Sequence, residues 1–163
     1  MSTKPVLPDL LALFTPLFDQ CTPDEQRILL AVLERLAAEH YRRWAEGLRD
    51  PAQKRDFLAA AAREEHIAAV LEGLGPRAEH LARTVWQRFP HLRTLYADAI
   101  QPLSREEQWK VQSSGEHGGA ELLRSFAAAE VNPDGRAKLL VCAAEDEENA
   151  QLLAEGLKTM GAQ

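Results

Sequence analysis

Residues 59–74, AAAAREEHIAAVLEGL, reveal the architecture best, because the chain contains a second version of them. Their last part, EEHIAAVLEGL at 64–74, aligns without a gap with EENAQLLAEGL at 147–157. Each version follows a pair typical of a helix start, Asp50-Pro51 in the first and Asn132-Pro133 in the second. The versions lie about 82 to 83 residues apart, and each predicts a helix, a tight turn and a second helix. A helical hairpin that occurs twice predicts a pseudo-symmetric four-helix bundle.

The composition predicts one all-α domain. The 163 residues are 45% hydrophobic, which is enough for a sizeable core, and Leu, Ala, Glu, Arg and Gln dominate. β-branched residues are scarce and no run alternates convincingly between apolar and polar residues, so strands are not expected. The net charge of −6, with basic residues spread over the predicted helix surfaces, argues against nucleic-acid binding.

The sequence lacks the features of a membrane or secreted protein. No stretch approaches ~18 uninterrupted apolar residues, and the N-terminus lacks the basic start and cleavage site of a signal peptide. Cys21 and Cys142 stand alone, without Cys-x-x-Cys spacing, and are expected to be buried thiols in a reducing compartment. We therefore expect a cytoplasmic protein with no membrane partner.

Helix-start and helix-stop signals divide the single predicted domain, residues 1–163, into four parts. Capping boxes at 22–25 (TPDE) and 104–107 (SREE) begin the first and third long helices. The parts are an N-terminal strap at 1–21 with a short apolar helix at 9–20 interrupted by Pro16, a first hairpin at 22–75, a helical crossover at 76–103 and a second hairpin at 104–158. A long crossover suits two hairpins that a short turn cannot join.

The second and fourth long helices each carry a charged residue on the predicted buried face. On the second helix that face is formed by Ile67, Val70, Leu71 and Leu74. It places Arg63 near its centre, with His66 at one edge and Glu64 at the other. On the fourth helix the corresponding central position is Asp146. Because an isolated buried charge costs several kcal/mol or more, we predict an ion pair between Arg63 and Asp146 across the bundle.

The first and third long helices each contribute a glutamate. Glu34 lies at the edge of the apolar stripe of the first helix. Tyr41 follows two turns later on the same side, and His40 lies at the centre of the stripe. The repeat places Glu116 at the corresponding point of the third helix, so both glutamates are expected near the centre of the bundle.

Three glycines lie beside Glu116 in the predicted third helix, Gly115, Gly118 and Gly119. A glycine inside a helix costs about 0.5–1 kcal/mol relative to alanine, and these three remove side-chain volume from the inward side. Two structures are compatible with this pattern. Either the helices approach more closely at this level, or a pocket opens beside His40, Arg63 and Asp146.

The pattern resembles the ferritin-like superfamily, and its rubrerythrin-like members in particular, over residues 22–158. The spacing from Glu34 to Tyr41, with six residues between them, is similar to the family's signature on the first helix. Glu116 and His66 resemble the family's third-helix glutamate and second-helix histidine. The resemblance implies a bundle with a long crossover, in which glutamates and two Glu-x-x-His pairs hold two iron or manganese ions.

The sequence departs from that pattern on the second and fourth helices. Arg63 stands where the family has a bridging glutamate, and Asp146 and Asn149 stand where it has glutamate and histidine. The metal ligands that the resemblance leaves are Glu34, His66, Glu116 and Asp146. The Arg63 guanidinium, with its five donors, can neutralise such acids without a metal.

Two functions stay open on the sequence. The first is a ferritin-like bundle protein with a degenerate di-metal site, metal-free or with one iron or manganese ion, that serves as a binding or scaffold protein. Its small polar core pocket would hold a small-molecule ligand through Arg63, His40 and Tyr41. The second is an iron- or manganese-dependent oxidoreductase of the rubrerythrin or ferritin-like type. We also expect a homodimer, with the apolar N-terminal helix as one candidate interface.

Overall fold

The computed structural model describes residues 6–162, and this part of the chain is all-α, as predicted. Seven helices follow one another in it: α1 (Leu10–Phe18), α2 (Pro23–Glu46), α3 (Pro51–Gly73), α4 (Ala78–Arg88), α5 (Leu92–Ile100), α6 (Arg105–Ala129) and α7 (Pro133–Gly161). None of these helices is both long enough and apolar enough to cross a membrane. The ends of the predicted 1–163 domain, residues 1–5 and 163, lie outside the described residues.

The four long helices begin at the residues that the sequence signals predicted. Thr22 Oγ1 accepts a hydrogen bond from the Glu25 N–H at 3.3 Å, and Glu25 Oε2 accepts one from the Thr22 N–H at 2.9 Å. Ser104 opens α6 through the same reciprocal pair of bonds. α3 and α7 begin with proline, and the side chains of Asp50 and Asn132 accept bonds from the N–H groups that follow. Local capping therefore sets the residue at which each long helix begins.

Pro16 does not interrupt the N-terminal helix, which is a correction to the sequence-based expectation. α1 runs through it from Leu10 to Phe18. A proline inside a helix removes one N–H donor and crowds the carbonyl four residues earlier. Here that carbonyl belongs to Ala12, near the start of a nine-residue helix, so a single backbone bond is lost.

The long helices pack in pairs around one core. α2 packs against α3, α6 against α7, and α3 against α7, while α1 lies on α6 and α4 on α2. Side-chain hydrogen bonds from Tyr41 to Glu116 and from Trp44 to Gln108 connect α2 with α6. The core cluster draws buried hydrophobic residues from all seven helices, including Val85 of α4 and Ile100 of α5.

The buried face of α3 differs from the prediction by one residue. It consists of Phe57, Ala60, Ala61, Glu64, Ile67, Ala68 and Leu71. Glu64 therefore lies at the centre of this face, whereas Arg63 lies at its edge. The facing side of α7 has Asp146 at its centre, as predicted.

Candidate metal centre

Four carboxyl groups, one from each long helix, meet in the core: Glu34 of α2, Glu64 of α3, Glu116 of α6 and Asp146 of α7. One oxygen from each lies within 4.8 Å of one oxygen from every other. None of these side chains is exposed by more than 5%. We call this group the carboxylate cluster. Carboxylate oxygens at this separation could hold a metal ion.

Glu116 is held in place by two hydrogen-bond donors. The Tyr41 hydroxyl and the Gln112 Nε2 amide both donate to Glu116 Oε1 at 2.8 Å. The Tyr96 hydroxyl of α5 donates in turn to Gln112 Oε1 at 2.6 Å, which orients that amide. Such a chain of bonds fixes a ligand side chain before any ion arrives, as the outer shell of a metal site does.

Glu64 is oriented from the opposite side of the cluster. Asn149 Nδ2 donates to Glu64 Oε1 at 2.5 Å, and Arg63 Nε donates to Asn149 Oδ1 at 2.6 Å. Because Arg63 occupies the amide oxygen of Asn149, the NH₂ group of Asn149 is the end that faces Glu64. Asn149 therefore acts as a hydrogen-bond donor to the cluster.

Three oxygens of the cluster have no hydrogen-bond partner among the described residues: Glu64 Oε2 and both oxygens of Asp146. Leaving a buried acceptor without a partner costs about 1–3 kcal/mol, and more for a charged group. None of the four carboxyl groups forms a salt bridge within residues 6–162. The donor set thus fits either a cation or protons shared between neighbouring carboxyl groups.

Burial raises the pKa of all four carboxyl groups well above its usual range. The second cause is the negative charge of a neighbouring acid. Asp146 raises the pKa of Glu34 in this way, and Glu64 raises the pKa of Glu116 and that of Asp146. Without a cation, the cluster therefore retains protons to a higher pH than exposed carboxyl groups do. A bound cation favours the ionised form and displaces those protons.

A cavity of about 60 Å³ opens on the cluster, between α1, α2 and α6. Glu34, Glu116 and Asp146 lie at its inner end. A Cβ atom at Gly119 would approach Asp146 Oδ2 to 2.6 Å, so only glycine leaves room at this position.

The glycines allow both a close helix approach and a cavity, but neither lies where the sequence placed it. At Gly115 and Gly118 a helix approaches closely, but it is α1, not α2. A Cβ at these positions would lie 2.9 Å from Leu10 Cδ1 and 3.3 Å from Leu11 Cβ. At Gly119 the missing side chain leaves the cavity.

The predicted ion pair between Arg63 and Asp146 is wrong. Arg63 Nη1 lies 3.4 Å from Glu148 Oε1, and the Arg63 side chain stays 20% exposed at the rim of the bundle. Successive helical residues are rotated by about 100°, so the one-residue shift in the buried face brings Glu64 inward and turns Arg63 away. Asp146 faces acids instead of a guanidinium.

His66 does not join the carboxylate cluster. Its side chain is 50% exposed, and its Nδ1 lies 2.7 Å from Glu145 Oε2 at the surface. His66, Cys142 and Glu145 form a second group of potential metal ligands, whose ligand atoms lie within 4.8 Å of one another. Burial, followed by the nearby charge of Glu145, raises the pKa of Cys142 to about 12.

His40 and Tyr41 have separate positions. Tyr41 is buried and contacts the cluster through Glu116, while His40 stacks on Tyr96 with ring centroids 4.7 Å apart. Neither of them, nor Arg63, lines the cavity, whose wall is largely apolar. The predicted polar pocket beside His40, Arg63 and Asp146 is therefore corrected: of the three, only Asp146 faces the cavity.

Glu64 is the cluster residue that sequence reasoning missed. A signal for it was present: Asp50 and Asn132, like Glu34 and Glu116, are 82 residues apart. The same spacing leads from Asp146 back to Glu64, whereas the 83-residue alignment of the two stretches leads to Arg63.

Comparisons with known protein families, with characterised proteins and with solved structures find no match to this chain. The chemistry of the carboxylate cluster and its surroundings is therefore the basis for assigning a function.

Proposed function

We propose that the protein is a ferritin-like bundle protein that binds one or two divalent cations, manganese(II) or iron(II), in the carboxylate cluster. One observation carries the proposal: four buried carboxyl groups converge from four helices, and three of their oxygens have no partner among the described residues. Fully ionised, the cluster has four negative charges that no basic side chain of residues 6–162 pairs. Two divalent cations would balance them.

A constant spacing supports the ferritin-like architecture. Thr22 and Ser104, which open α2 and α6, are 82 residues apart, and so are Asp50 and Asn132, which open α3 and α7. Glu64 and Asp146 have the same spacing, as do Glu34 and Glu116. Equivalent starts and equivalent acids favour two repeated helical hairpins related by approximate twofold symmetry.

The corrected register also brings the chain closer to the ferritin-like metal pattern. The pairs of that pattern become Glu64-x-x-Ile67 on α3 and Asp146-x-x-Asn149 on α7. Both carboxyl groups are present, and both imidazoles are replaced. A donor set made of oxygen alone is typical of sites for hard cations such as Mg(II), Ca(II) and Mn(II), whereas sites for Zn(II) and Cu(II) usually include nitrogen or sulfur ligands.

The chain's own residues have defined tasks in such a site. Glu34, Glu64, Glu116 and Asp146 would hold the ions, which supply Lewis acidity and, for iron or manganese, redox chemistry. Tyr41 and Gln112 fix Glu116, and Asn149 fixes Glu64. The four long helices and α1 together exclude bulk water from the cluster.

Oxidoreductase activity at this metal is the second candidate. The observation that favours it is the cavity, which gives a small molecule a place beside three of the four acids. The metal-free scaffold has less support, because the cation assigned to it, Arg63, lies at the rim and pairs with Glu148.

Metal binding to the purified protein tests the proposal. We expect protein prepared without chelator, or reconstituted with Mn(II) or anaerobic Fe(II), to hold at least one equivalent by elemental analysis. A ligand at about 100 times its dissociation constant adds about 2.7 kcal/mol of stability, so the melting temperature should rise with metal. Less than a tenth of an equivalent after reconstitution, with no rise in melting temperature, would sink the proposal.

The variant Glu64→Gln separates the cluster from adventitious sites. Because the amide is uncharged, the metal-free variant should melt at or above the wild-type temperature, and added Mn(II) should no longer stabilise it. Glu121→Gln on the exposed side of α6 is the matched control and should respond to Mn(II) like the wild type. Equal responses of the two variants would place the metal elsewhere.

A further inference from the structure

We propose that the cavity under α1 binds a small, uncharged and mainly apolar molecule, whose polar end points at the carboxylate cluster. This inference rests on the proposed function, because it names the class of molecule that would reach the metal. The cavity measures about 60 Å³. A water-sized group occupies about 10–15 Å³ on this scale, so the space suits roughly four non-hydrogen atoms.

The wall of the cavity selects against charged ligands. Its apolar side chains are Leu10, Leu11, Phe14, Phe18, Leu30, Leu33, Ala37 and Leu122. The charged residues among its lining are the three acids at the inner end, and no basic side chain of residues 6–162 lines it. An anion would lose its hydration without gaining a partner from the protein, whereas an apolar group gains contact with hydrocarbon on several sides.

The inner end of the cavity has a different chemistry. Asp146 is 0% exposed, faces the cavity, and both its carboxyl oxygens lack a partner among the described residues. Gly119 keeps the space beside Asp146 Oδ2 free, because a Cβ there would stand 2.6 Å from that oxygen. A hydroxyl or carbonyl group at this end meets either an unpartnered acid or a metal ion that the acid holds. The orphaned acid and the missing side chain thus both point to a ligand.

Helix α1 forms the outer wall and limits the size of the ligand. Phe14 stacks on Tyr96 with ring centroids 5.5 Å apart, and both side chains line the cavity. Leu11, which also lines the cavity, is 41% exposed, so this side chain contacts both the cavity and solvent. Removing the Phe14 ring should lengthen the cavity towards the surface.

Two probes test the proposal. Xenon, followed by NMR in the metal-free protein, reports whether the cavity is entered at all. n-Propanol in the Mn(II)-loaded protein reports orientation, because bound Mn(II) relaxes nearby protons. We expect xenon to bind, and the protons beside the propanol hydroxyl to relax faster than the methyl protons.

Variants connect both signals to the cavity. Ala37→Leu fills the space and should weaken binding of both probes about tenfold or more. Phe14→Ala enlarges the space and should admit n-hexanol, which the wild type rejects. Leu140→Ala, on α7 at a position that is 49% exposed and outside the lining, is the control and should bind both probes like the wild type, because truncating an exposed side chain opens no buried cavity.

Failure of this inference is distinct from failure of the metal site. Unchanged xenon binding in Ala37→Leu, or no gain of n-hexanol in Phe14→Ala, overturns it even if Mn(II) binds. Equal relaxation at both ends of propanol overturns the orientation. Should Ala37→Leu not fold, Phe14→Ala decides. Absence of Mn(II) binding overturns the proposed function, and the xenon measurements still decide whether the cavity is a binding site.

Discussion

Asn149 connects Arg63, at the rim of the bundle, with Glu64 of the carboxylate cluster. Arg63 binds its amide oxygen and Glu64 accepts from its amide nitrogen, at 2.6 and 2.5 Å. The Arg63 side chain also lies 3.4 Å from Glu148, which is 64% exposed. Arg63 therefore orients an amide next to the cluster and does not neutralise the acids directly.

Arg63→Ala is accordingly expected to cost about 1 kcal/mol of unfolding free energy, because one partly buried hydrogen bond and one solvated ion pair are lost. Urea denaturation of the metal-free protein measures it. Arg124→Ala, whose partner Glu147 is also at the surface, is the control and should cost less than about 1 kcal/mol. A loss of about 3 kcal/mol or more for Arg63→Ala would show that a buried charge had lost its partner.

His40 makes stability depend on pH. Burial, followed by the charge of Arg43, lowers the pKa of His40 from 6.5 to about 4. Between these two values the unfolded chain binds a proton that the folded chain does not. The contribution of His40 to stability is thus fully present above about pH 6.5 and is lost as the pH falls towards 4.

His40→Phe should remove this loss of stability at acidic pH, and its aromatic ring should still stack on Tyr96. The full shift corresponds to at most about 3 kcal/mol, so the variant should lose less stability than the wild type between neutral pH and pH ~4.5. Urea unfolding at the two pH values measures it. His80→Phe, at an exposed position of α4, should leave the wild-type pH dependence unchanged, and identical slopes for all three proteins would contradict the assignment.

At the scale of elements, α1 is attached to the rest of the described structure chiefly through α6. Its Leu10 and Leu11 rest on Gly115 and Gly118, where no side chain intervenes. The glycines of α6 thus permit the close approach that lets a nine-residue helix cover the cavity and the cluster.

Gly115→Val should lift α1 from α6, because a Cβ at this position already stands 2.9 Å from Leu10 Cδ1. We expect a loss of about 1–3 kcal/mol and faster amide hydrogen exchange in α1 than in α3. Gly73→Ala is the control, because its added Cβ would meet no atom within 4 Å apart from its chain neighbours and the nearby backbone of its own helix. If exchange in α1 did not change in Gly115→Val, close contact with α6 would not be what holds α1.

At the scale of the whole molecule, burial of the carboxylate cluster opposes folding once the acids ionise. The pKa of each acid is raised in the folded state from an ordinary value of 4.5 for Glu or 3.8 for Asp. A raised pKa contributes stability at low pH, and this contribution is lost as the pH rises through the folded-state pKa. The metal-free fold is therefore strained most at the pH at which a cation binds best.

Above the pH window in which His40 titrates, the melting temperature of chelator-treated protein should fall as the pH rises, because the pKa of each cluster acid is raised in the folded state. Saturating Mn(II) should remove that decline, because the cation replaces the lost protons. Glu64→Gln should show a shallower decline than the wild type, while Glu121→Gln should follow the wild type. A metal-free wild type that gained stability over this range would contradict protonated acids in the core.

Local signals sufficed for the helices and for three of the four acids. Capping boxes, proline at the first helical position and periodic apolar residues act within a few residues of where they stand, so the starts of α2, α3, α6 and α7 were predictable. Glu34, Glu116 and Asp146 followed from the same periodicity and from the spacing of the two hairpins.

Only tertiary packing decided which of two adjacent residues of α3 faces the core. α3 is rich in alanine, and apolar residues occur on its outer side too, where Leu58 is 44% exposed. A helix with apolar residues over a wide arc has no sharp stripe, and a one-residue error turns its face by about 100°. Packing against α2 and α7 buries Glu64 together with Ala60, Ala61, Ile67 and Ala68, and it leaves Arg63 at the rim of the bundle. As a result, Asp146 faces Glu64 and the other acids, where the sequence had predicted an ion pair with Arg63.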